Sequence, residues 1–155
     1  VFYLLWFPFI AFTILYYVLF ESEDKVKVLM RQLAVPMTLT LVWYLLVPNG
    51  TDVRSQAVSG TDVFSLIMEL LWKTDPPTNV CPSIHVFVTL LLNHAMHTTS
   101  ARNRVLETVS SILCIGICAS TLFLKQHSVI DVLAGIAVAE TVLFISGKMK
   151  TEKSS

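Results

Sequence analysis

The sequence predicts an all-α integral membrane protein, a helical bundle with five spans visible in this chain. Hydrophobic residues make up 54% of the 155 residues and charged residues only 14%, whereas soluble domains carry about 25% charged residues. Mean hydropathy is +0.68. The alternative, a very apolar soluble bundle, would have too few polar residues to cover its surface in water. The net charge is zero, so the charge does not indicate binding to nucleic acid or to an acidic partner.

Five apolar segments approach the length of about 20 residues that a transmembrane helix needs. They are residues 1–20, 32–51, 84–99, 105–124 and 129–147. Residues 61–73 are too few to span, but their helical apolar spacing predicts a helix lying along the membrane interface. The chain reads as one domain ending in a polar tail, 148–155. Because Val1 already lies inside an apolar stretch, we expect a further helix to precede it.

Alternating spans divide the connecting segments between two faces of the membrane. The face that receives residues 21–31, 100–104 and the tail carries eight of the eleven lysines and arginines. The other face receives the long loop 49–83 and a tight turn near 125–128, and its basic residues are Arg54, Lys73 and Lys125. By the positive-inside rule the first face is cytoplasmic, and the second is extracytoplasmic.

Ionisable side chains interrupt the apolar sequence "STLFLKQHSVIDVLAG", residues 120–135. His127 and Asp131 are four positions apart, so on a helix they would be neighbours. The Asp131 carboxylate would then accept a hydrogen bond from one nitrogen of His127 and leave the other nitrogen basic. A plain pair at a helix start is the alternative, although ionisable groups within a membrane are usually functional.

A second polar stretch, "DPPTNVCPSIHVF" at 75–87, opens the third span on the same face. A histidine oriented like His127 can attack phosphorus, and His85 could protonate the leaving oxygen. Ser83 and the free N–H groups of the helix start suit phosphate oxygens. Arg54 and Lys125 could neutralise the phosphate charge. The sequence therefore predicts a phosphoryl-transfer site built from several helix ends.

Other polar residues of the chain are expected to be structural. His94 and His97 lie toward the cytoplasmic end of the third span, too far from His85 for one metal to bridge. Glu140 lies deep in the last span, where it would pair within the bundle. The three cysteines have neither metal spacing nor an even number for disulfides.

These motifs resemble those of the type-2 phosphatidic acid phosphatase family, integral membrane lipid phosphatases with a KxxxxxxRP, PSGH and SRxxxxxHxxxD pattern. The resemblance covers residues 40–147 and rests on "PSIH" followed by "HSVID". It implies a six-helix core and metal-independent hydrolysis without a cofactor. By position, His127 matches the nucleophile, Asp131 its orienting carboxylate and His85 the general acid. Ser83 and Ser120 match the serines of the second and third parts.

Several positions depart from this pattern. Ile84 replaces the glycine of PSGH, and Thr121 stands where the phosphate-binding arginine is expected, with Lys125 one helical turn later as a possible substitute. Arg54 is followed by serine rather than proline, and Val47 occupies the lysine position. The lysine and one arginine of the family pattern are therefore absent from this chain, which is typical of a divergent branch.

Three functions remain open on the sequence alone. The first is hydrolysis of a lipid phosphate or diphosphate through a phosphohistidine, with the site on the extracytoplasmic face of the plasma membrane. The second keeps the phosphohistidine and transfers the group to a lipid or alcohol, as sphingolipid synthases do. The third is a non-catalytic lipid-binding relative. The expected partners are a lipid phosphate substrate and membrane lipids, and the oligomeric state is not indicated.

Overall fold

The computed structural model describes residues 1–52 and 62–152. A short 3₁₀ helix, Phe2–Leu5, leads directly into α1, and the remaining helices follow in chain order: α1 Trp6–Phe20, α2 Glu23–Leu46, α3 Val63–Thr74, α4 Ile84–His97, α5 Arg104–Phe123 and α6 Val129–Glu152. Within the described residues, four stretches are long and apolar enough to cross a membrane, namely Phe2–Phe20, Glu23–Leu46, Arg104–Phe123 and Val129–Met149. The predicted all-α membrane bundle is confirmed.

Helix α4 is the centre of the bundle rather than a full span. Its 14 residues rise about 21 Å, less than the hydrocarbon thickness of about 30 Å. It packs against α1, α2, α5 and α6, and most of its apolar side chains are buried. The third predicted span is therefore a short helix that neighbouring helices cover, so its length does not have to match the lipid.

Helix α2 begins nine residues before the predicted second span and ends five residues earlier. Ser22 is its N-cap, and the Ser22 side chain accepts from the Lys25 N–H. Glu23 and Asp24 occupy the first turn, where carboxylates interact favourably with the helix dipole. Charged residues that the hydropathy pattern assigned to a loop are thus the capped start of a longer helix.

The bundle has two distinct ends. At one end, called the site end below, the start of α1, the end of α2 and the starts of α4 and α6 come together, and the end of α5 leads into the turn before α6. At the opposite end, the turn between α1 and α2 meets the loop between α4 and α5. This is the alternation that the sequence predicted.

Glu21 ties the two connecting segments of the opposite end together. Its carboxylate accepts the Ser100 N–H and the Ser100 hydroxyl, both at 2.6 Å, and lies 3.0 Å from Lys25 Nζ. Partial removal from water favours the protonated acid. The hydrogen bonds from Ser100 and the Lys25 interaction outweigh it, so the pKa of Glu21 lies below its usual value.

We expect Glu21→Gln to lower the free energy of unfolding by about 1–3 kcal/mol, because two hydrogen bonds to a charged acceptor are weakened. A lowered pKa stabilises the fold only while the group is ionised. The difference from wild type should be complete at neutral pH. It should shrink below the ordinary glutamate pKa and disappear once the pH passes the pKa of the folded state. Thermal unfolding in detergent at several pH values measures this difference, and a pH-independent difference would contradict the assigned role.

Candidate active site

The start of α4 is fixed by its N-cap, Ser83. The Ser83 hydroxyl accepts the Val86 N–H at 3.4 Å, and its carbonyl accepts the Phe87 N–H at 3.1 Å. Ser83 is fully buried. This capping places His85 in the first turn of α4.

Backbone hydrogen bonds from the turn to the end of α5 fix the turn that carries His127. The N–H groups of Gln126 and His127 both donate to the Thr121 carbonyl, at 3.0 and 3.1 Å. Lys125 adopts the left-handed conformation with φ of 52°, which lets the chain reverse within a few residues. Thr121, at the position of the family's arginine, is buried and donates its hydroxyl to Cys118. It supports the turn through its backbone.

Asp131 caps the start of α6. Its Oδ2 accepts the Ser128 N–H at 2.6 Å, and the Ser128 hydroxyl accepts the Asp131 N–H at 3.3 Å. This is a reciprocal capping box. The Asp131 carbonyl also accepts the Ser83 N–H at 3.1 Å. The starts of α4 and α6 are therefore hydrogen-bonded directly to each other.

Gly135 allows α6 to approach α4 closely beside the site. A Cβ at this position would lie 2.9 Å from the Ser83 carbonyl oxygen and 3.0 Å from Val86 Cβ. Both neighbours belong to the start of α4 and are fully buried. The register between the two histidine-bearing helix starts therefore depends on a residue without a side chain.

We expect Gly135→Ala to lower the melting temperature, because it would separate α4 from α6. The cost should be about 1–3 kcal/mol, as for other overpacked contacts. Gly147→Ala is the matched control on the same helix, since nothing lies within 4 Å of the added Cβ. Equal melting temperatures for the two variants would contradict the close packing.

His85 and His127 face each other at the site end. Their ring centroids are 5.6 Å apart with an interplanar angle of 60°, and His127 Nε2 lies 3.4 Å from His85 Nδ1. The other nitrogen of His127, Nδ1, lies 3.9 Å from Asp131 Oδ2. This is an ion-pair distance, longer than the hydrogen bond expected from the sequence. The structure brings together the three residues that the sequence proposed as catalytic.

Two aromatic rings from the start of the chain hold the His85 ring. The Trp6 centroid lies 4.3 Å away at 45°, and the Tyr3 centroid lies 4.8 Å away at 31°. The Tyr3 hydroxyl donates to Asp75 Oδ2.

Burial and the Asp131 carboxylate raise the pKa of the nearby Cys81 thiol, so Cys81 is a poor nucleophile at neutral pH.

A cavity of about 200 Å³ opens beside the two imidazoles. Its volume suits a polar headgroup better than a whole lipid. The lining combines aromatic rings, polar side chains and a carboxylate, and its described members are Trp6, Tyr44, Asp75, Pro76, Thr78, Asn79, Val80, Ile84, His85, Gln126 and His127.

The predicted phosphate-binding residues are not among the described lining residues. Ser83 caps α4 inside the protein, and the Ser120 hydroxyl donates to the Ile117 carbonyl at 2.7 Å. Lys125 is exposed on the turn before His127. Arg54 lies outside the described residues. Their roles in phosphate binding stay predictions.

Trp6, Tyr3, Asp75 and Gln126 belong to the site or its immediate support, although the sequence did not indicate them. The first two lie in an uncharged apolar run with no polar pattern, so no signal marked them. Asp75 opens the polar stretch that contains His85, and that position could have suggested it. Gln126 adjoins His127 and is buried.

Three further ionisable residues that the sequence singled out are not among the described residues that line the cavity. His94 is exposed near the opposite end of α4, and His97 Nε2 lies 2.9 Å from the Ser111 hydroxyl. Glu140 is exposed on α6, which does not agree with the expected pairing inside the bundle. Within residues 1–52 and 62–152, no group of three histidine, cysteine or acidic side chains could hold a metal ion.

The resemblance noted in the sequence rests on short motifs alone. No protein-family model, no curated protein and no solved structure matches this chain.

Proposed function

We propose that this membrane protein catalyses metal-independent hydrolysis of a lipid phosphate or diphosphate through a phosphohistidine on His127. The observation that carries this proposal is the facing pair, His127 Nε2 and His85 Nδ1, 3.4 Å apart beside a headgroup-sized cavity. Two imidazoles in this arrangement can divide a phosphoryl transfer between a nucleophile and an acid.

His127 is the proposed nucleophile. With its proton on Nδ1, directed toward the Asp131 carboxylate, the Nε2 lone pair is free to attack phosphorus. Asp131 favours this tautomer and the positive charge that develops on the ring during attack. It also fixes the helix start beside which the ring lies.

His85 is the proposed general acid. It would donate a proton to the lipid oxygen as the bond from phosphorus to that oxygen breaks. In the second step it would remove a proton from the water that attacks the phosphohistidine. Trp6 and Tyr3 restrict its ring to an orientation toward His127.

Substrate binding requires the two rings to separate. A phosphoryl group does not fit between nitrogens that are 3.4 Å apart. The His127 ring is carried by a turn and the His85 ring by a helix packed at the centre of the bundle. We therefore place the movement in the turn 124–128, which also carries Lys125, the predicted phosphate-binding cation.

The proposed side of the membrane is extracytoplasmic, in the plasma membrane. Support comes from the basic residues of the opposite end and its adjoining helix ends, which include Lys25, Lys27, Arg102, Arg104 and Lys148. By the positive-inside rule that end would face the cytoplasm, and the site end would receive lipid from the outer leaflet.

Purified protein incubated with lipid phosphates in the presence of EDTA tests this function. We expect release of inorganic phosphate that EDTA does not reduce. A new phospholipid formed in place of inorganic phosphate would instead indicate transfer to an acceptor alcohol. Absence of both products across monophosphate and diphosphate lipids would contradict the proposal.

A non-catalytic lipid-binding relative is the second candidate function. The favouring observation is that none of the described residues lining the cavity is a lysine or arginine, the residues that usually neutralise a transferred phosphoryl group. Vanadate mimics five-coordinate phosphorus and should raise the melting temperature of an enzyme with this site. No shift at saturating vanadate would favour the non-catalytic function.

A further inference from the structure

The described residues that line the cavity include aromatic and acidic side chains but no basic ones apart from the histidines. Beside the two imidazoles this lining contains the rings of Trp6 and Tyr44 and the carboxylate of Asp75, and it contains no lysine or arginine. Trp6 and Tyr44 are both more than nine-tenths buried. A lining of aromatic rings and a carboxylate favours cations over anions.

Tyr3 contacts both Asp75 and His85 and so connects the carboxylate to the histidine pair. The Tyr3 ring packs against His85 at 4.8 Å, and the Tyr3 hydroxyl donates to Asp75. The cavity therefore has an acidic side at Asp75 and an imidazole side at His85 and His127. A ligand that reached both sides would carry a cation at one end and a phosphate at the other.

Trp6 gives an independent indication that a ligand belongs here. Its indole N–H is buried and has no acceptor within the described part of the chain. Buried donors in proteins are almost always paired. A phosphate oxygen in the neighbouring cavity would provide the missing acceptor, since Trp6 contacts both the cavity and His85.

We infer that the cavity is selective for phosphodiester lipids whose headgroup ends in an ammonium group. Asp75 would bind the ammonium, and the phosphate would lie at the histidine pair, beside the indole N–H of Trp6. This inference rests on the phosphohistidine chemistry of the proposed function and adds zwitterionic phosphodiester lipids to its substrates. From these lipids the released phosphate would carry the headgroup and would not be inorganic phosphate. The ammonium supplies, from the substrate, part of the positive charge that the described lining lacks.

The reaction then follows the same steps with a substituted phosphate. A bond forms between His127 Nε2 and phosphorus, and the bond between phosphorus and the glycerol oxygen breaks. His85 protonates that oxygen, which releases diacylglycerol. Water next attacks phosphorus and gives its proton to His85, the bond to nitrogen breaks, and the headgroup phosphate leaves.

Diacylglycerol release from mixed vesicles tests the inference, because both kinds of substrate yield the same product. Phosphatidylcholine and phosphatidylethanolamine carry an ammonium group, whereas phosphatidic acid and phosphatidylglycerol do not. We expect faster release from the first pair. In Asp75→Asn the ratio of the two rates should fall about tenfold, as expected for loss of an ion pair with a partly buried ammonium. A ratio measured on one preparation is independent of how much protein has folded.

Glu69→Gln is the matched control, because it removes a nearby carboxylate that is exposed, pairs with Lys73 and is not among the described lining residues. Its ratio should stay close to that of wild type. Release from phosphatidic acid alone, or a ratio unchanged in Asp75→Asn, would overturn the inference and leave the proposed function standing. Release from none of the four lipids would overturn both.

Discussion

His127→Gln should abolish turnover of lipid phosphate, with a loss of about a thousandfold or more, as is usual when a nucleophile is removed. Glutamine keeps a polar side chain of similar reach but cannot form a phosphohistidine. Because the turn is held by backbone bonds from Gln126 and His127 to Thr121, the substitution should leave the fold intact. Rates of diacylglycerol release and melting temperatures measured together would separate a chemical loss from unfolding.

His94→Gln is the control for that variant. His94 is exposed near the end of α4 away from the cavity, so its activity should remain within about twofold of wild type, as is usual for surface substitutions. Turnover by His127→Gln at a wild-type rate would exclude His127 as the nucleophile.

His85→Ala should reduce the rate by about 10²- to 10⁴-fold for a lipid phosphate with an alkyl leaving group, the usual effect of losing a general acid. A substrate with a nitrophenol leaving group needs no protonation, because nitrophenolate is stable without the proton. The rate for that substrate should fall far less. The comparison is between kcat/KM values for the two leaving groups in the same variant.

Trp6→Phe provides a comparison in which the aromatic contact with His85 is largely kept and the indole N–H is lost. Its rates should fall by a similar factor for both leaving groups, since the acid remains. If His85→Ala slowed both substrates equally, His85 would be a binding or positioning residue and not the acid.

The sequence predicts the helices well because membrane spans are long apolar runs. The boundaries of α2 were wrong because hydropathy does not register capping. Ser22, Glu23 and Asp24 favour a helix start in a stretch that hydropathy alone assigns to a loop. The segment that contains α4, residues 84–99, was predicted as a shorter and more polar span, and only the contacts show that protein covers it.

The meeting of His85 and His127 follows from counting spans, since both begin helices at the same end. The hydrogen-bonding roles of the neighbouring side chains do not follow from the sequence. Phosphate binding by Ser83 stays a prediction, and the structure adds that its hydroxyl is the N-cap of α4 and is buried. Asp131 belongs both to the proposed catalytic motif and to the capping box with Ser128, and the sequence does not show the second role.

The aromatic residues and the carboxylate around His85 could not be predicted, because they are distant from His85 or from one another in the chain. Tyr3 and Trp6 meet His85 across about 80 positions, and Tyr3 meets Asp75 across 72. No periodicity or motif marks such contacts. They arise from the way α1 packs along α4.

Mass spectrometry of protein quenched during turnover tests the phosphohistidine most directly. Trypsin cleaving after Lys125 and Lys148 yields residues 126–148, a peptide in which His127 is the only histidine. With substrate present, this peptide should carry a phosphoryl adduct that survives alkali and is lost in acid, and it should carry none in His127→Gln. Continued turnover with an unmodified peptide, or an adduct on another residue, would contradict the mechanism.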